Sequence, residues 1–313
     1  RAARKRPAIP VPLHNHSNQC YQNSVIQLLR SSSSLVRLLG EEGVDFAPRT
    51  AENSRSLQFA AALRDALRFD SDAGLLSRKS RWLGFSLNRQ DDAHRFLDAV
   101  LNGSSAGFGG VVEALCGTTL TRTTRCTRAS CRHESTCITP AELGLSLPVP
   151  STGKHTVAHL LGLFSQPEAV DEDYKCEGCG RCGCCSSILE SIGHSEVLVL
   201  ALKFNTNDER KKLRRGLVKL SQGLQVGSSN FLLCGTVVHL GGYTDAGHYI
   251  ARCKGPDKKW RVYNDGAPPV VCSYADVCRA CERDVCLVLY QRASVAALPS
   301  LQAPPTNGWA SFG

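Results

Sequence analysis

Three stretches in the first third of the chain carry apolar residues at three- and four-residue spacing: Tyr21 to Arg30, Arg55 to Phe69 and Gln90 to Leu101. That period matches one face of an α-helix, so each is expected to lay an apolar stripe on a common core. The second half of the chain changes period. Val197 to Phe204, Phe231 to Leu240, His248 to Cys253, Trp260 to Tyr263 and Val285 to Tyr290 are short, rich in β-branched and aromatic side chains, and bounded by Gly, Asn and Asp. Such runs predict strands. Helices first and strands afterwards give an α+β architecture, with any site at the seam between the two layers. Pro7, Pro10 and Pro12 break up the start, and Pro299, Pro304, Pro305 and Gly308 the end. Residues 1–12, which are basic, and 293–313 are therefore expected to be flexible tails around one domain, 13–292. Between the tails only Ser31 to Ser34 is of low complexity.

Composition supports a folded domain. With 313 residues and 42% apolar content the chain can bury a substantial core. No apolar run approaches the roughly 20 residues that span a bilayer, and the basic start has no apolar stretch after it, so neither a membrane span nor a signal peptide is expected. Sixteen cysteines in so long a chain read as metal ligands, a catalytic thiol and buried packing in a reducing compartment, hence an intracellular protein, cytoplasmic or nuclear. The net charge of +9 gathers partly in Arg1, Arg4, Lys5, Arg6 and in Lys211, Lys212, Arg214, Arg215. Solvated loops account for such clusters, and no specific nucleic-acid or membrane partner is expected.

Cys20 stands at the start of the first helical pattern, with Asn18 and Gln19 before it and Val25, Ile26, Leu28 and Leu29 after it. A thiol near a helix N-terminus is acidified, because exposed backbone N–H groups and the helix dipole stabilise the thiolate. The surrounding Leu13-x-Asn15-x-x-Asn18-x-Cys20-Tyr21-x-Asn23-Ser24 resembles the cysteine box of ubiquitin-specific proteases, Gly-Leu-x-Asn-x-Gly-Asn-Thr-Cys-Tyr-x-Asn-Ser. Pro12, Ser17 and Gln19 replace the two glycines and the threonine of that box. The resemblance implies that Cys20 is the nucleophile and that Asn15 supplies a side-chain oxyanion donor beside the backbone N–H of Cys20.

A thiol protease also needs an imidazole base and a group that fixes its ring. Among nine histidines, His248 follows a Gly-rich turn, Gly242 to Gly247, and opens a predicted strand. His239-x-Gly241 and Gly247-His248-Tyr249 resemble the histidine box of the same family. Trp260-Arg261-Val262-Tyr263-Asn264-Asp265 resembles its Trp-x-x-Phe-Asn/Asp-Asp segment, and Cys286 to Tyr290 its closing strand. By that resemblance Asn264 orients His248, and Asp265 is a supporting polar group. Gln90-Asp91-Asp92-Ala93-His94-Arg95-Phe96-Leu97 resembles the Gln-Gln-Asp-Ala-His-Glu-Phe-Leu helix beside the substrate tail. Arg95 there reverses the usual charge, and His94 reads as a structural hydrogen bonder.

Cys176-x-x-Cys179 has the spacing of a zinc knuckle, and Cys126 with Cys131 is the best partner pair to complete a tetrahedron. Cys182, Cys184 and Cys185 crowd the second pair and Cys137 lies near the first, so other ligand sets stay open. Cys278-x-x-Cys281 repeats the motif on what reads as a short core helix after Asp276. The family resemblance places one structural zinc ion at the tip of two β-ribbons. It implies a papain-like fold with a helical thumb, about 13–115, then a β palm and zinc-tipped fingers, about 116–292. The implied protein is a monomeric catalytic domain that cleaves the bond after the C-terminal glycine of ubiquitin. Two alternatives stand beside it. Arg95 fits a protease for another ubiquitin-like modifier, and Ser17 with Gln19 fits an inactive ubiquitin-binding module.

Overall fold

The computed structural model describes residues 9–41, 45–46, 50, 54–86, 88–139, 142–194, 196–204, 216–241 and 246–293. Both basic clusters and the C-terminal tail beyond Ala293 lie outside these. Among the described residues no helix is long and apolar enough to cross a membrane.

The three expected helices form the thumb as Cys20–Arg30, Ser54–Leu67 and Ala93–Ser105. Every residue of Cys20–Arg30 is buried, because other elements surround it and it packs along the strand His248–Lys254. The third helix starts at Ala93 rather than Gln90. Asp92 caps it, its carboxylate accepting the backbone N–H of Arg95 at 3.0 Å, which fixes the first turn. Of the expected N-terminal tail, the stretch from Ile9 is held on the thumb. The Val11 N–H donates to the Phe69 carbonyl at 2.9 Å, and Gln27 donates to the Val11 carbonyl at 2.8 Å. Ser31 to Ser34 is likewise ordered, with Ser32 capping the short helix Ser33–Leu35.

The palm is a sheet whose strands run in the spatial order Val270–Cys272, Trp260–Tyr263, His248–Lys254, Ser229–Leu240, Val285–Arg292, Val197–Phe204 and Leu145–Val149. Only the last pairing is parallel. Alternation places Val199, Ala201, Val237, Ala251, Leu287 and Leu289 against the thumb. It places Leu198, Leu200, Val238, Val288 and Tyr290 in a second core on the opposite face. Burial on both faces explains the near-continuous apolar runs of Val197–Phe204 and Val285–Tyr290. Helix Tyr274–Asp284 covers that second face. It carries Cys281 fully into the core, with Cys278 partly buried beside it.

A separate sheet of Glu134–Ile138, Thr118–Cys126, Cys185–His194 and Glu168–Ala169 extends from the palm as the fingers. Its long central pair is antiparallel from Thr118 opposite His194 to Cys126 opposite Cys185, with a bulge after Thr121. The cysteines gather at the far end of this ribbon.

Candidate active site and metal centre

Cys20 is the first residue of the central thumb helix, and His248 opens the palm strand packed against that helix. Cys20 is the group that acts most strongly on the His248 ring. On the other side of the ring, His248 Nε2 lies 2.7 Å from Asn264 Oδ1. The amide oxygen only accepts, so Nε2 carries a proton and Nδ1 is left for the thiol. The contact with Cys20 pushes the imidazole up to about 9, against partial burial, with the Asn264 bond adding to the rise. A ring protonated at neutral pH beside a thiol is the condition for a thiolate–imidazolium pair.

Asn15 is fixed at both ends. Its Oδ1 accepts the backbone N–H of Gln19 at 3.0 Å, and its Nδ2 donates to Asp265 Oδ2 at 2.9 Å. The second amide hydrogen is left for an incoming oxygen. Asp265 does more than the supporting role expected of it. Its other carboxylate oxygen accepts from Asn23 Nδ2 at 2.8 Å, and its carbonyl accepts from the Leu13 N–H at 3.2 Å. It adopts the left-handed region, φ +47°, which Asp tolerates better than most residues. The palm turn that presents Asn264 thereby grips the thumb loop that presents Asn15. Asn23 was visible only as a letter of the cysteine box; its bonds to the Leu13 and His14 carbonyls make it the tie between loop, helix and turn.

A second set of contacts sets the backbone before His248. Gln90 accepts the Gly247 N–H at 3.3 Å and reaches His239 Nε2 at 3.4 Å. The buried His239 ring stacks on Tyr249 with centroids 4.2 Å apart. Gly247 has φ +154°, and a Cβ there would lie 2.3 Å from the Leu240 carbonyl oxygen, so this position admits only glycine.

Arg95 does not project as a free charge. Its guanidinium bonds Asp91 Oδ2 at 2.5 Å and lies 4.7 Å from the Phe85 ring centroid. His94 accepts from Lys203 Nζ at Nδ1, 2.7 Å away, and its Nε2 faces Asp98 at 3.1 Å. Burial, then the Lys203 charge, holds it down at about 4, so it is a neutral structural hydrogen bonder, 109 residues from its partner in sequence.

At the finger tip, Cys126, Cys176, Cys179 and Cys184 have sulfurs all within 4.8 Å of one another. Of the four expected ligands, Cys126, Cys176 and Cys179 belong to this group. Cys131 stands at its border, 3.7 Å from Cys176 Sγ. Cys184, noted in the sequence only as crowding, joins because the Thr127 N–H and hydroxyl both donate to its carbonyl, at 2.8 and 3.1 Å, which draws it beside Cys126. The donors fit zinc. Thiolates at about 2.3 Å from a tetrahedral ion are about 3.8 Å apart, and the Cys126–Cys184 and Cys126–Cys179 pairs are 3.7 and 4.0 Å apart. The Cys176 thiol is held at about 6, principally by the backbone N–H of Cys179, as a knuckle that binds thiolate requires.

Residues 11–274 match the family model described as ubiquitin carboxyl-terminal hydrolase. The chain belongs to the ubiquitin carboxyl-terminal hydrolase family. Two curated members are similar to it. Ubiquitin carboxyl-terminal hydrolase 25 of Arabidopsis thaliana is 25% identical over 300 residues, which is 84% of this chain and 45% of that protein. Ubiquitin carboxyl-terminal hydrolase Usp2 of Drosophila melanogaster is 25% identical over 306 residues, 81% of this chain and 32% of that one. The chain thus spans less than half the length of these family members. Among solved structures, the SAGA DUB module of Ubp8, Sgf11, Sus1 and Sgf73 bound to monoubiquitin matches with TM-score 0.74 and 21% identity, over 94% of this chain and 71% of the other. The same module bound to ubiquitin aldehyde matches with TM-score 0.75 and 20% identity, over 93% and 71%. The fold is that of the ubiquitin-specific proteases, α+β with helical thumb, palm and fingers.

Proposed function

We propose that this chain is a deubiquitinating cysteine protease that hydrolyses the peptide or isopeptide bond after the C-terminal glycine of ubiquitin. The observation that carries the reading is the line from Cys20 through His248 to Asn264 at the thumb–palm seam. Membership of the family and a fold shared with ubiquitin-bound structures supply the substrate class.

In this reading the Cys20 thiolate attacks the glycine carbonyl. The oxyanion that forms is held by Asn15 Nδ2 and the backbone N–H of Cys20. His248 gives its proton to the leaving amine, the C–N bond breaks, and ubiquitin is left as a thioester on Cys20. His248 then takes a proton from water, whose oxygen attacks the thioester; the free carboxylate leaves and the thiol is restored. Asn264 keeps the ring in place through both steps, and Asp265 holds Asn15 where the oxyanion forms. Four finger-tip thiolates would hold one zinc ion, which fastens the ribbon ends and takes no part in the chemistry. All sixteen cysteines are unpaired, which supports a reducing, intracellular setting, cytoplasmic or nuclear. We further infer that the domain acts as a monomer.

With Arg95 paired to Asp91, its reversed charge carries less weight for a modifier with a less basic tail. Three armed molecules test the reading: ubiquitin carrying a C-terminal electrophile, and two ubiquitin-like modifiers armed the same way. Wild type is expected to be labelled by the ubiquitin probe, and Cys20→Ser to be neither labelled nor active while keeping the same circular dichroism. Labelling of Cys20→Ser would remove Cys20 as nucleophile. Labelling only by a ubiquitin-like modifier would replace the substrate, and no labelling of wild type would leave a binding module.

A further inference from the structure

The finger tip gathers six thiols where a tetrahedral ion takes four; of these Cys185 reaches Cys176 and Cys184 but lies outside the compact group of four. Cys126, Cys176 and Cys179 form a compact group with Cys184, and Cys131 borders it. The fourth place has two claimants. Cys131 lies 3.7 Å from Cys176 and also contacts Cys126 and Cys179. Cys184 lies 3.7 Å from Cys126 and contacts Cys179 as well. Both separations match the edge of about 3.8 Å expected between thiolates on one zinc. We propose that Cys131 and Cys184 are alternative fourth ligands of a single zinc ion, so that either thiol alone completes the site.

Backbone geometry supports two claimants rather than one ligand and one bystander. Cys131 sits in a turn closed by its own N–H to the Arg128 carbonyl at 3.0 Å, within the loop that leaves strand Thr118–Cys126. Cys184 sits immediately before the partner strand Cys185–His194, tied to that same loop by the Thr127 bonds. The two approach from the two arms of the ribbon, so exchanging them needs rotation of a side chain and no rearrangement of the sheet. Neither claimant is fully buried, so the displaced thiol can turn to solvent. A spare thiol poised beside the ion also gives an associative route for ligand exchange, which predicts faster metal release to a chelator than from a four-thiol site.

The inference rests on the zinc reading above, and the test separates the two. Full-length chain is purified as wild type, Cys131→Ser, Cys184→Ser, the double variant and Cys176→Ser. Zinc per chain is measured by elemental analysis, and the absorption of the cobalt-substituted forms reports how many thiolates bind. Both single variants are expected to keep about one zinc and a four-thiolate cobalt spectrum, with affinity within about tenfold of wild type. The double variant and Cys176→Ser are expected to bind more than about 100-fold more weakly or to show a three-thiolate spectrum. If either single variant behaves like the double one while wild type holds metal, the fourth ligand is unique and the proposal fails with the zinc reading intact. Wild type free of zinc and unable to take cobalt would end both. Cys131→Ser and Cys184→Ser each releasing zinc to a chelator more slowly than wild type would support the spare-thiol route, and equal rates in all three would overturn it.

Discussion

The seam and the finger tip hold their chemistry in opposite ways. At the seam every group has one place. Cys20, His248, Asn264, Asn15 and Asp265 come from segments up to 250 residues apart, and His248, Asn15 and Asp265 are each held by bonds to named partners. At the tip six thiols from two short segments crowd together, and the bonds that place Cys131 and Cys184 are made by the backbone. A reaction needs atoms aligned to a fraction of an ångström, so its residues are irreplaceable. A structural metal needs four sulfurs at a common distance, and a local surplus satisfies that without fixing which four. Loss of one group should therefore be severe at the seam and graded at the tip.

The ranking within the seam is the sharpest way to break that comparison. Asn15→Ala removes a donor aimed at the developing oxyanion and is expected to lower kcat by about 100- to 1,000-fold with little change in KM. Asn264→Ala, which frees the His248 ring, is expected to cost more than Asp265→Ala, which loosens Asn15 and Asn23 but leaves the ring bond in place. Measured against both single variants, Asn15→Ala with Asp265→Ala should be less than additive, because part of the Asp265 effect passes through Asn15. If Asp265→Ala costs more than Asn264→Ala, or if the double variant is additive, Asp265 has a role of its own on the imidazole.

The pH profile tests whether the contact between Cys20 and His248 governs the seam. His248 is raised to about 9, first by Cys20, so the imidazolium of the active pair persists to that pH. The alkaline limb of kcat/KM is expected near pH 9, falling about tenfold per unit beyond it. The sign for stability is the same. A histidine whose folded value exceeds its ordinary 6.5 contributes stability fully below that value, and the contribution is lost as pH rises through about 9. Asn264→Ala should move the limb to lower pH, since the Asn264 bond is among the groups that raise it. A limb that stays in place in that variant would show that Asn264 positions the ring without affecting its charge.

How much of this the sequence carried differs between the same two regions. The thumb helices and palm strands were legible because they bury one stripe or both faces, and burial imprints a period. The finger ribbons were expected from the family resemblance alone and not read as strands from their own pattern. Thr118–Cys126 carries mostly Thr and Arg with one Leu and is only partly buried, and Cys185–His194 sets serines among its few apolar residues and is half-buried along much of its length, so neither leaves a clear apolar pattern. The catalytic groups were found by their boxes, which are letters in order. The bonds among Asp265, Asn15 and Asn23 were hidden because they join positions hundreds of residues apart. Cys184 was hidden for the opposite reason. Among five cysteines between 176 and 185, spacing cannot tell which sulfur points inward, and only the Thr127 bonds decide it.

Arg95 is where the smallest effect is expected, and where the seam most resembles the tip in tolerating change. Its charge is reversed relative to the usual glutamate, yet its side chain is about half exposed, bonded to Asp91 and laid over Phe85. An exposed pair of this kind is worth about 0–1 kcal/mol, a few-fold in affinity at most. In the proposed reading the tail of ubiquitin would bring two arginines beside this helix, so a carboxylate would attract where the guanidinium repels. Arg95→Glu also releases Asp91, adding a second acidic group on the same face at the cost of like-charge repulsion one turn apart. The expected outcome is a KM for a ubiquitin-amide substrate lowered a few-fold, with kcat unchanged and the gain shrinking as salt is raised. A gain much larger than that would mean Arg95 lies in the channel and not on its rim. If wild type prefers a modifier with a less basic tail and Arg95→Glu turns it towards ubiquitin, the single reversed charge sets the substrate, and the reading of this site as ubiquitin's gives way.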